Sequence, residues 1–92
     1  MVAKTHELKI DQENYQAILE GLKTYELRKN DRCFSVGDFL LLKETEYTGE
    51  EMANGNPLEY TGRQHEVQVI HILSGPIYGL EVGWVIMSIC DC

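Results

Sequence analysis

A lysine, a glutamate and an arginine stand at positions 23, 26 and 28, just after a glycine at 21. Two cations around one carboxylate form a pre-organised polar site. The acid holds the bases in place, and their outer hydrogens stay available to an anionic ligand. Lys29 and Arg32 follow at once, so four of the chain's eight Lys and Arg residues fall between positions 23 and 32. The stretch 44–59 is opposite in sign, with Glu44, Glu46, Glu50, Glu51 and Glu59 and no Lys or Arg. A formal net charge of −7 repels a long polyanionic duplex at a distance. A small basic patch on an acidic body suits a compact anion or a short single strand better. The plain alternative is a solvated salt-bridge ladder worth ~1 kcal/mol or less.

Other chemistry-bearing residues give weaker patterns. Three cysteines, Cys33, Cys90 and Cys92, are an odd number in a chain without a signal peptide, which predicts free thiols. Together with His6, His65 and His71 they could supply zinc donors, but Cys90-Asp91-Cys92 lacks the C-x₂₋₄-C spacing and second half-site of structural zinc. No metal and no cofactor are expected. Cys33 lies near Arg28, Lys29 and Arg32, yet the sequence sets no histidine beside it. Tyr47, Tyr60 and Tyr78 fall in loop-like segments, where they suit base stacking or a protein interface equally.

The charged triad must be held by what surrounds it. Residues 5–10 alternate, with Leu8 and Ile10 on one face and Glu7 and Lys9 on the other, as a strand does. Asp11 is a candidate N-cap for a helix over 12–20, with Asn14 as a weak partner in a capping box. Tyr15, Ile18, Leu19 and Leu22 form its apolar stripe. Gly21 closes that helix in a left-handed conformation. The strand that follows, 24–28, puts Tyr25 and Leu27 on one face and Thr24, Glu26 and Arg28 on the other. Strict alternation turns Lys23 away from Glu26, so a site shared by all three requires the turn after Gly21 to rotate it back, which the sequence does not show.

Beyond the polar turn 29–32, Val36-Gly37-Asp38 is a tight turn into the strand 39–44. That strand is apolar on both faces and belongs at the centre of a sheet. The stretch 45–62 reads as a long excursion with an edge strand near 58–61. The strand 63–73 sets Val67, Val69 and His71 against Glu66, Gln68, Ile70 and Ile72, and a last strand covers 84–89. Leu40, Leu42, Val67, Val69, Trp84, Ile86, Tyr15, Ile18 and Leu19 are the expected core.

Ninety-two residues, 43% hydrophobic and 25% charged, describe one ordinary globular domain over 1–92. The N-terminal residues lack an apolar h-region and no apolar run has the length of a membrane span, so a cytoplasmic protein is expected. The fold class is α+β: about five or six mostly antiparallel strands in a small barrel, with one N-terminal helix covering an end.

Gly21, Lys23, Glu26 and Arg28 match the G-x-K-x-x-E-x-R signature of the ASCH domain family in the PUA-like superfamily, which the chain resembles. The order of strand, helix, signature, V-G-D turn and apolar strand is similar too. His6-Glu7-Leu8-Lys9-Ile10, the run 28–32 and Tyr60-Thr61-Gly62-Arg63 bring it nearest to a small bacterial and phage-borne subgroup, DUF3850. The resemblance covers nearly the whole chain. It implies a PUA-like β-barrel whose cleft, between barrel and helix, binds RNA or a nucleotide-like ligand. Lys23 and Arg28 would then face phosphate or carbonyl oxygens, Glu26 would orient them or accept from a base amine, and Lys29 and Arg32 would form the rim.

The same superfamily contains small amidohydrolases that act on N-acylated cytidine through a lysine, a threonine and a glutamate. Here the family's nucleophilic threonine is replaced by Glu26. Thr24 adjoins Lys23 at a different offset, so a catalytic set would be Lys23, Thr24 and Glu26. A third reading is a phage-type adaptor that binds another protein through its acidic surface and long loop.

Overall fold

A computed structural model describes residues 2–91. Five strands and two helices follow in the order β1 (Thr5–Ile10), α1 (Gln12–Leu19), β2 (Tyr25–Lys29), β3 (Phe39–Thr45), α2 (Gly49–Ala53), β4 (Tyr60–Ser74) and β5 (Trp84–Cys90). They form a single sheet with strand order β1-β3-β4-β5-β2. Only β1 and β3 run parallel; the other three pairings are antiparallel. The sheet is curled into a half-barrel, and no strand pairing joins β1 to β2 among the described residues.

The concave face is the core. His6, Leu8 and Ile10 of β1, Leu40 and Leu42 of β3, Val67 and Val69 of β4, and Val85, Met87 and Ile89 of β5 are all buried. Tyr15 and Ile18 bring α1 onto this face, and Phe34 joins it from the loop before β3. Burying a side chain of this size is worth ~1.5–3 kcal/mol.

Several expectations need correction. Trp84 and Ile86 are only half-buried, because β5 presents its odd-numbered residues inward. Leu19 is 41% and Leu22 78% exposed, so the helical stripe narrows to Tyr15 and Ile18. On β4 a register shift between Val69 and His71 inserts Ile70 as an extra residue. The side chains beyond it therefore swap faces: Ile72 packs on the core and His71 is exposed. The excursion 45–62 also contains α2, opened by a capping box in which Thr48 accepts from the Glu51 amide and Glu51 accepts from the Thr48 amide. The expected edge strand near 58–61 is the start of β4, where Tyr60 pairs with Thr45.

Cys33 is free and exposed, but Cys90 is disulfide-bonded, against the expectation of free thiols throughout. Cys92 lies outside the described residues. Among the described residues no helix is long and apolar enough to cross a membrane.

Candidate functional site

Gly21 has φ 75°, and Leu22 N–H and Lys23 N–H both donate to the Ala17 carbonyl, which wraps the chain around the end of α1. Lys23 therefore precedes β2 and escapes its alternation. Its Nζ lies 3.6 Å from Glu26 Oε1. Within β2 the alternation holds, with the charged residues inward: Glu26 is buried, whereas Tyr25 and Leu27 are about half-exposed. Arg28 Nε donates to Glu26 Oε2 at 2.8 Å. Lys23, Glu26 and Arg28 thus converge on the concave side.

The hydrogen-bond register explains what lies across from them. Phe39 N–H donates to the Lys4 carbonyl, so alternate residues of β1 face β3 and the backbone of Glu7 and Lys9 faces the open side. Ile89 N–H donates to the Thr24 carbonyl and Asn30 N–H to that of Gly83, so β2 likewise turns Tyr25, Leu27 and Lys29 toward the gap. Two edge strands therefore face one another without a ladder. Side chains bridge them instead: Arg28 donates to the Lys9 carbonyl and Arg32 to the Glu7 carbonyl. Unpaired strand edges are a liability, and covering them with arginines is one way to blunt them.

Between these edges is a cleft of about 720 Å³. Lys23, Glu26 and Arg28 lie within it together with Lys29 and Arg32, so all five expected ligand-binding residues line one cavity. Leu8 and Phe34 supply apolar wall, and Asp11, Asn14, Gly49 and Met52 border it from the two helices. The Asp11 carboxylate makes no cap hydrogen bond to α1. It accepts from the Gly49 amide at 3.0 Å and so ties the start of α2 to the start of α1. The contributions of Lys9, Asp11, Met52 and Trp84 were missed. The Thr48-x-x-Glu51 pattern would have revealed α2; nothing local would have revealed that β1 faces β2.

Thr24 is exposed and is absent from this cleft. It lines a separate pocket of about 230 Å³, which shares only Lys23 with the first. Among the described residues no three of His, Cys, Asp and Glu gather where they could hold a metal ion.

A second buried polar pair stands at the turn before β3. His6 Nε2 lies 2.8 Å from Asp38 Oδ2, and the same carboxylate accepts from the Lys4 and Ser35 amides at 3.1 and 3.0 Å. Burial pushes the Asp38 carboxyl up, but the hydrogen bonds from His6, Lys4 and Ser35 and the charge of His6 outweigh it and hold it below the usual carboxylate range. Gly37, at φ 97°, makes the turn that aims this carboxylate inward.

A family model described as "Domain of unknown function (DUF3850)" matches residues 5–89. The chain belongs to this family. The DUF3850 match thus reaches all five strands, ending one residue short of the end of β5, and takes in the whole cleft. A stretch of 44 residues is 46% identical to an "Uncharacterized 12.9 kDa protein in GpA 3'region" of Escherichia phage P2. The match takes in 48% of this chain and 40% of the phage protein, so the chain spans well under half of that relative.

Proposed function

We propose that this DUF3850 chain is an ASCH-like module of the PUA-like class that binds a nucleotide or a short single-stranded RNA in the cleft between β1 and β2. The observation that carries this reading is the buried Glu26 carboxylate, held between Lys23 and Arg28 in a cavity rimmed by Lys29 and Arg32. Arg28 keeps guanidinium hydrogens beyond those given to Glu26 and Lys9, and these meet a phosphate. Glu26 retains lone-pair capacity for a base amine. The cavity falls within the ~300–1,000 Å³ of ordinary small-ligand sites.

The test is a titration of the purified protein with nucleoside monophosphates and with a short single-stranded RNA at low salt. Binding should weaken by ~1–3 kcal/mol in Arg28→Ala, the scale of a hydrogen bond to a charged group. Lys29→Ala should cost less and act mainly by flattening the salt dependence. If neither probe binds, or if Arg28→Ala binds as well as the wild type, the reading fails.

A further inference from the structure

In a one-layer antiparallel sheet, the face turned away from the core is ordinarily polar. Here it is not. Leu27 pairs with Ile86, and Ile86 with Leu73, in one row across β2, β5 and β4. Leu27 sits between the inward Glu26 and Arg28, so this row lies on the outer face, with Leu27 at the free edge of β2 where it also borders the cleft. The next row, Tyr25–Ser88–His71, lies beside it. Tyr25 is 48%, Leu27 49%, Leu73 37% and the bulge residue Ile70 52% exposed. Neither helix covers them: α1 packs on the other side, and α2 has no buried side chain.

We infer that this outer face of β2, β4 and β5 is the contact between two copies of the chain. The argument for a second copy rests on charge and area. The chain has 15 Asp and Glu residues, yet none stands in these two rows. Two bodies of net charge −7 repel through their acidic surfaces and can meet closely only where carboxylates are missing. The same face offers a charged partner little to match, because apart from Ser88 and His71 its two rows are apolar or aromatic, the composition of an interface core. Its half-exposed side chains present on the order of 400 Å² of apolar surface, at the size where patches on monomers become functional. That is close to the non-polar share of a standard interface of ~800 Å² per partner. Two such sheets stack face to face at ~10 Å, and the arrangement leaves Glu26 and Arg28 on the opposite side of β2, free for a ligand.

Analytical ultracentrifugation of the purified chain over a range of concentrations and of sodium chloride tests this. A reversible dimer is expected. It should tighten as salt rises, because screening relieves the repulsion while no ion pair is lost. Leu27→Glu and Leu73→Glu should each raise the dimer dissociation constant at least ~10-fold, about 1.4 kcal/mol. Their circular dichroism should not change. Leu22→Glu, at an exposed site in the turn after α1, should leave the constant unaltered. If a glutamate variant loses its dichroism signal, Ile70→Lys at the bulge takes its place. A monomer at every concentration, association that weakens with salt, or a dimer indifferent to the outer-face variants would overturn the inference.

Discussion

Each carboxylate oxygen of Glu26 faces one cation, Oε2 accepting from Arg28 and Oε1 lying beside Lys23. Removing the charge from such a centre leaves two cations facing each other across an amide. Arg28 and Lys23 are only partly covered, at 29% and 15% side-chain exposure, so water takes up some of the loss. Glu26→Gln should therefore lower the unfolding free energy by ~1–3 kcal/mol, below the 3–5 kcal/mol of a fully buried pair broken on one side. Urea denaturation measures it, and an unchanged midpoint would show the triad to be energetically idle. Asp38 gives a second residue-scale expectation. Its carboxyl is depressed in the folded chain, so the stability it confers is fully present above the ordinary aspartate value of ~3.9 and is lost as pH falls through the lower folded value. Wild-type stability should thus decline over the range beneath about pH 4, and Asp38→Asn should flatten the decline there. Equal acid slopes in the two proteins would rule out this linkage. The triad was legible in the sequence because its three charges sit close together in one short segment, 23–28. The His6–Asp38 pair was not, since it joins positions 32 residues apart through the packing of β1 beside the V-G-D turn.

Legibility differed between elements for physical reasons. In β1 apolar and charged residues alternate from Glu7 to Ile10, so Leu8 and Ile10 could be assigned inward from the pattern alone. In β5 the run Trp84 to Met87 is apolar on both faces, and period two cannot say which set faces the core. The structure chose Val85, Met87 and Ile89, because β5 pairs Met87 with Glu26 and Val85 with Arg28 on the inner side. The bulge at Ile70 left no sequence mark at all. By contrast α2 was announced by Thr48-Gly49-Glu50-Glu51 and passed over among turn residues. A helix of five residues with no buried side chain depends heavily on such a cap. Thr48→Ala should cost α2 about 1 kcal/mol. Hydrogen exchange should show the α2 amides losing protection while those of β3 and β4 keep theirs. Loss of protection throughout the sheet would mean that α2 is coupled to the core rather than local to the cleft.

At the scale of the whole molecule, one curled sheet does two jobs with its two faces. The concave side gathers the apolar core and, at the open edge, the charged cleft; the convex side keeps Tyr25, Leu27 and Leu73 in reach of solvent. The net charge of −7 lies outside both features, which is why composition argued against a duplex without revealing either surface. The strand order also sets a schedule for the making of the protein. β2 carries Glu26 and Arg28 but, among the described residues, finds its only partner strand in β5. Residues 30–83 separate them, so at ~5–20 residues per second β2 is synthesised several seconds before β5. β1 waits in the same way for β3, the strand it pairs with. Both walls of the cleft are therefore translated early and completed late. The basic segment, 23–32, thus has no strand to pair with until the hairpin of β4 and β5 has been made.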